Sequence, residues 1–374
     1  TLNVGGSVAF TTANYLRLAD ANGSNAGIFH ADPTATSLLN NAPVAAFGFL
    51  GTNPPAAIAM NGSMLAVQPD QSITLVGGNI SVQSGTLENG TVRPAHLSAP
   101  GGQINVASVA SSGEILAGTL EKAQNINGQS FRALDTVQIS EQSHLDTSGG
   151  GGGSILVRGG RLIVDDSTIS ANSTAGRRLA PSWLGIGIEI EVAQDVVIDN
   201  GSLVETNVDP GAHHESGGVR IAADHITISG GPKALAFQET NPGTEVPFGI
   251  KSNVGLGSTA AKSGDILLNA SSSIQIRDHG DIRTETATGS GAGHITLKAS
   301  DNIHIDSSNV SSRVTKDSSG ISGNIRIDAQ HGNIFLTNAN VFTATDEGST
   351  GTLGNILINA HNLQLFDFSK IGGD

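Results

Sequence analysis

The chain has 374 residues, of which 19 are basic and 33 acidic, giving a formal charge of −14 at neutral pH. That acidity excludes the basic footprint of a nucleic-acid binder. The absence of cysteine excludes disulfide scaffolds and thiolate chemistry, and no run of apolar residues is long enough for a transmembrane helix.

Glycine accounts for 49 residues, about 13% of the chain and roughly twice the usual share. Aromatics make up only 3%. Aliphatic residues are dispersed in small doses between Gly, Asn, Ser and Thr, which points away from one concentrated enzyme-like core. The mean hydropathy of −0.02 is not that of a charged, disordered chain.

Thr1 opens directly on a polar, strand-like stretch, TLNVGGSVAFTT, with no signal peptide before it, so a mature or truncated product is expected. A glycine followed by alternation recurs as GGSVAF (5–10), GGNISV (77–82) and GGQINV (101–106). Between them, NNAPVAAFGFLGTNPPAAIAM (40–60) carries Phe47, Phe49 and paired prolines. It reads as an extra-core element, a turn plus edge strand, or else as a locally thicker core.

TSGGGGGS (147–154) has no following Lys and leads into a strand, so it reads as a corner rather than a phosphate loop. Asp165 and Asp166 are neighbours, and at most one can face a given groove; with Asp195 and Asp199 they read as exposed polar corners. The segment 172–185 pairs the single Trp, Trp183, with Arg177 and Arg178. In DPGAHHESGG, residues His213, His214 and Glu215 form the one concentrated metal-like cluster. No further ligand lies at a recognisable spacing and HExxH is absent, so a surface turn is the preferred reading. A second insertion, 230–262, carries Phe237 and Phe248. Exposed aromatics beside cations can dock a sugar ring or a protein. Arg177, Arg178, Trp183, Phe237 and Phe248 are therefore the candidate binding residues, unless those rings simply fold back onto the protein.

From 264 onward the pattern becomes regular: GDILLNA (264–270), GHITLKA (293–299), GNIRIDA (323–329) and GNILINA (354–360). The anchoring glycines are 29, 30 and 31 residues apart. Each unit contains a period-two strand ending on Ala, a polar corner, a second short strand (SIQI, NIHI, NIFL, NLQL) and a third segment such as NVSSRV or NVFTA. No run shows a helical period.

A unit this small cannot bury its own apolar face, so the units should stack. Ile266, Ile295, Ile325 and Ile356 would form one interior column, Leu268, Leu297, Ile327 and Ile358 a second, and Ala270, Ala299, Ala329 and Ala360 a tight corner. Asn309, Asn338, Asn340 and Ser307 would form hydrogen-bonded ladders. The expected fold class is all-β: a right-handed, single-stranded parallel β-helix, a pectin-lyase-like solenoid with three strands per coil, without hairpins.

Residues 2–20 (LNVGGSVAFTTANYLRLAD), 41–51 (NAPVAAFGFLG), 65–82 (LAVQPDQSITLVGGNISV) and 97–115 (LSAPGGQINVASVASSGEI) are similar to the secretion domain of filamentous-haemagglutinin-like exoproteins of two-partner secretion systems. The resemblance is dense over residues 1–115. Beyond that only a generic repeat style is shared. It implies a β-helical protein of Gram-negative bacteria, secreted or held on the cell surface after translocation by an outer-membrane β-barrel transporter. Residues 1–115 would be the C-terminal part of the haemagglutination-activity domain, with the extra-core element. Residues 116–374 would be the repeat region, with loop insertions at 172–185 and 230–262. The family's two Asn-Pro motifs are not matched, since Asn53-Pro54 sits in another context; the chain therefore looks like a fragment lacking its signal peptide and first coils.

The expected function is that of a noncatalytic, adhesin-like, rod-shaped scaffold that contacts a glycan or surface protein through loops, without a cofactor and without an enzymatic site. The alternatives are a polysaccharide lyase or hydrolase, which would need a groove with three or more convergent charged residues, and a passive structural surface-layer component.

Overall fold

Alternation of aliphatic and polar residues turns every second side chain of a strand to one side, and neighbouring parallel strands bury that side together. The computed structural model describes the chain except residues 21, 39, 118–125, 130, 176–185, 260–261 and 374. In it Ile266 pairs with Ile295, Ile295 with Ile325 and Ile325 with Ile356, all in parallel register. Leu268, Leu297, Ile327 and Ile358 follow two positions on, and Ala270, Ala299, Ala329 and Ala360 two beyond that. Ile295, Leu297, Ala299, Ile325, Ile327 and Ala329 are all completely buried. The anchoring glycines pack backbone on backbone: a Cβ on Gly293 would lie 2.0 Å from the Gly264 carbonyl oxygen, and one on Gly323 1.9 Å from that of Gly293.

The architecture departs from the regular three-sided, pectin-lyase-like β-helix that the repeat predicts. The parallel strands gather into two large, irregular sheets of 11 and 16 strands. The cause is the corner after Ala270, Ala329 and Ala360, where the hydrogen-bonded ladder carries on instead of breaking, whereas Ile295–Ala299 and Ile303–Asp306 stay separate strands. Ile266–Arg277 and Ile325–Thr337 are each one continuous strand holding both of the first two segments of a unit. Only the third segment, such as Ile282–Thr286 or Asn309–Val314, passes into the other sheet. The corners carry register shifts at Ala223/His225 and Ala329/Asn333.

Nor is the spacing of the units constant. Residues hydrogen-bonded between neighbouring units are 24 apart at Ser143 and Ser167, 35 at Ser167 and Ser202, 46 at Thr206 and Ser252, and 28 at Thr284 and Ser312.

The turn from the 16-stranded to the 11-stranded sheet needs left-handed backbone. Asp166, Asn200, Ser307 and Asn338 supply it, with φ of 49°, 55°, 49° and 47°. Of these, Asp and Asn tolerate this region better than most residues. Ser307 and Asn338 thus serve the corner, whereas Asn340 Nδ2 donates to Asn309 Oδ1 at 2.9 Å in a side-chain ladder.

The β-helical expectation also fails in two local places. Hairpins do occur. Tyr15–Ala19 pairs antiparallel with both Asn25–His30 and Val44–Phe49, in a five-stranded sheet completed by Gly113–Ala117 and Ile126–Gln129. Val44–Phe49 is a central strand there, not an edge. Its Phe47 and Phe49 bury a second core with Ile115 against Val76 and Ala107 of the 16-stranded sheet. The other is a helix, Gly231–Thr240, inside the 230–262 insertion. Its Lys, Ala, Leu, Gln and Glu are good helix formers and Pro232 sits in the first turn. It buries only Gly231 and Ala234, so it leaves no amphipathic signature in the sequence.

Candidate functional site

The outward positions of the 11-stranded sheet are set by the same alternation that buries Ile282, Val310 and Val341. Arg283 and Glu285 come from Ile282–Thr286, Asn309, Ser311 and Arg313 from Asn309–Val314, and Asn340 and Phe342 from Asn340–Thr345. Parallel register puts Arg283 beside Ser311 and Ser311 beside Phe342, while Glu285 lies beside Arg313. Arg283, Asn309, Ser311, Arg313, Asn340 and Phe342, with Glu245 delivered by the insertion, line an open groove of about 1000 Å³.

The insertion is fastened at several points. Lys233 forms an ion pair with Asp166. Phe237 and Phe248 meet edge to face with ring centroids 6.2 Å apart. The buried Lys251 donates from Nζ to the Val246 carbonyl oxygen at 2.9 Å, and burial pulls the Lys251 ammonium below its ordinary value. Gly249 returns the chain to the sheet with a φ of 100°, where a Cβ would lie 2.0 Å from the Asp281 carbonyl oxygen. With its base held in this way, the segment places Glu245 over two arginines.

Glu245 forms ion pairs with both Arg283 and Arg313; its Oε1 lies 2.6 Å from Arg313 Nη1. Arg283 also lies 3.3 Å from Glu285, and Arg313 Nε lies 3.6 Å from Asp346. The Arg313 guanidinium sits over the Phe342 ring, 5.6 Å from its centroid. The arginine side chains are 12% and 22% exposed, against 42% for Glu245. The Nε atoms of both arginines are buried without a hydrogen-bond partner. Burial also pulls the Arg283 guanidinium below its ordinary value.

At the groove's edge Asp281 is buried. Its Oδ1 accepts from the Asn309 backbone N–H at 2.8 Å. Burial nevertheless holds this carboxyl above the usual carboxylate range, with the Asn309 hydrogen bonds opposing the shift.

Chemically, this is a binding arrangement. Two guanidinium forks, an aromatic plate and an amide ladder line one open channel along the stacking direction, with strands about 4.8 Å apart. Its carboxylates are occupied: Glu245 by two arginines, Asp346 by Arg313 and Asp281 by Asn309.

The residues singled out from the sequence fall elsewhere. Arg177, Arg178 and Trp183 lie outside the described residues. Phe237 and Phe248 are half-buried against each other and do not line the groove. His213 is exposed, with Nδ1 3.0 Å from the Thr259 hydroxyl, and the His214 carbonyl oxygen accepts from the Ser173 hydroxyl at 2.7 Å. Among the described residues no group of three or more His, Cys, Asp or Glu is arranged to hold a metal ion. Asp165 lies beside Asp199 in neighbouring strands, and Asp195 pairs with Arg161 at 3.5 Å.

Sequence reasoning missed Arg283, Arg313 and Phe342. Their signal is slight: the outward positions carry no constant residue type, the Arg283 position being Lys251 in the preceding unit and Ser311 in the next, and the Arg313 position Glu285 and Ala344. Glu245 has no signal, because an insertion has no register to read. No protein-family model, curated protein or solved structure matches this chain.

Proposed function

We propose that the protein is a noncatalytic binding scaffold of an exported, adhesin-like surface protein, and that it takes an extended polysaccharide in the groove over the 11-stranded sheet. The observation that carries the binding part of this reading is the convergence of Arg283, Arg313, Phe342, Asn309 and Asn340 in one open channel of about 1000 Å³. Amides and guanidinium groups suit the paired hydroxyls of sugars, and an aromatic face suits a ring's apolar side. The export part rests on the resemblance of residues 1–115, together with translocation by an outer-membrane partner.

A lyase or hydrolase reading draws on Asp281, whose carboxyl is raised, and on the number of charged residues gathered in the groove. Binding is favoured because Glu245 and Asp346 are engaged by arginines and Asp281 is buried and held by Asn309.

The test is a glycan array read with the intact chain and with Phe342→Ala. Retention of an extended glycan by the intact chain, weakened about tenfold by loss of the aromatic plate with an unchanged melting temperature, supports the reading. Absence of any glycan binding, or turnover of a bound glycan, overturns it.

A further inference from the structure

We infer that the groove's ligand is a carboxylate-bearing polysaccharide, and that Glu245 occupies, in the free protein, the position the ligand's carboxylate takes. This rests on the polysaccharide-binding reading above and adds the chemical class of the chain and a built-in competitor.

A single carboxylate bridges two guanidinium groups, with Oε1 toward Arg313 and Oε2 toward Arg283. The arginines belong to strands of the sheet, and each is more buried than the glutamate that meets them. They are the fixed half of the arrangement. Arg313 is held by Asp346 and Phe342, and Arg283 by Glu285. Glu245 is the exchangeable half: exposed, on an insertion, and paired among the described residues with these two arginines alone. It has no counterpart in the repeat, so stacking does not require it. Each arginine keeps a buried Nε without a hydrogen bond, and the fork of a guanidinium matches a planar carboxylate with two parallel bonds.

When Glu245 swings out, the two guanidinium groups face the channel, which Lys370 also lines, beside an aromatic plate and the Asn309–Asn340 amides. A sugar acid laid along the strands would put its carboxylate on the arginines and its next ring over Phe342 and the amides. Because the whole chain carries a net charge of −14, diffuse attraction cannot gather a polyanion here. Selection must come from the local cations of the groove, chiefly the arginine pair.

The experiment uses the intact chain and titrates polygalacturonate, its fully methyl-esterified counterpart and dextran sulfate, by calorimetry at fixed salt. The expected result is that polygalacturonate binds and its methyl ester binds much more weakly. Glu245→Gln should tighten polygalacturonate by about tenfold, since the competitor no longer holds the competent state down, and change the ester much less. Arg313→Gln should lose the preference for the acid. Melting curves of each variant establish that it folds, and Glu245→Ala serves as a second removal of the competitor.

Equal binding of acid and ester, or Glu245 variants no tighter than the parent, overturns this inference while leaving the polysaccharide reading in place. Tighter binding of dextran sulfate than of polygalacturonate overturns the carboxylate assignment. Absence of binding to any of the three, together with a blank glycan array, overturns the underlying reading.

Discussion

The two large sheets use one pairing rule for different ends. Along the 16-stranded sheet between Ile266 and Ala360, the inward positions are aliphatic and repeat in columns. Along the 11-stranded sheet, the aliphatic column of Ile250, Ile282, Val310 and Val341 is followed two residues on by buried hydroxyls: Ser252, Thr284, Ser312 and Thr343. These hydroxyls reach across the interior to the anchoring glycines. Thr284 donates to the Gly293 carbonyl oxygen at 2.8 Å, Gly323 N–H donates to Ser312 at 2.6 Å, and Thr343 donates to the Gly354 carbonyl oxygen at 3.2 Å. One sheet supplies non-directional burial. The other adds directional bonds that set where each glycine turn sits against it. The outward faces follow the same division: the sheet whose interior is tied to the turns is also the one that carries the groove.

The contrast can be broken most severely on the aliphatic side. Ile295→Ala removes a wholly buried side chain from the middle of a column and should cost about 3 kcal/mol, including the cavity term. Urea unfolding followed by circular dichroism measures it, and a loss below about 1 kcal/mol would mean that the column is not close-packed. Gly293→Ala should cost about 2 kcal/mol, because its methyl meets a backbone oxygen that cannot move aside without disturbing the ladder. The same measurement on Gly289→Ala is the control: there the nearest atom to an added Cβ is a serine hydroxyl at 3.3 Å, so a smaller effect is expected.

On the hydroxyl side, Thr284→Val keeps the shape but removes the bonds to Gly293 and Ser312. About 1–2 kcal/mol should be lost, with faster amide exchange at residues 291–294. Unchanged exchange there would show that the hydroxyl ladder does not hold the turn.

The smallest effect concerns pH. Burial raises the Asp281 carboxyl above its ordinary value in the folded state. The folded state therefore binds that proton more tightly than the unfolded one. The corresponding stability is fully present below the unfolded value and is lost as pH rises through the folded one. Asp281→Asn should flatten this fall as pH rises above about 4, where an unfolded carboxyl titrates. Parallel slopes for parent and variant in melting experiments would contradict it.

Much of the strand content could be read from the chain. Ile266, Ile295, Ile325 and Ile356 announce themselves through glycine-led alternation, because a period of two needs only local geometry to declare its buried face. The number of sheets could not be read in this way. Whether the ladder breaks after Ala270 or continues to Arg277 depends on hydrogen bonds to the neighbouring strands, and a corner of Ser and Asn permits either. The helix at Gly231–Thr240 was hidden for another reason: it buries too little to impose a stripe on its own sequence.

The candidate site was harder still. Arg283 and Phe342 are separated by two repeats and become neighbours of Ser311 only through register. The aromatics that sequence reasoning preferred, Phe237 and Phe248, pack against each other.

The sequence by itself determined the strand period, the identity of the interior columns and the spacing of the anchoring glycines. These are consequences of steric and solvation preferences acting within one short unit. Tertiary structure alone decided that the parallel strands join into two sheets, that an inserted segment arches back over one of them, and that its glutamate comes to rest between two arginines. Those outcomes depend on contacts between units and on the path of an insertion, for which no local preference carries the information.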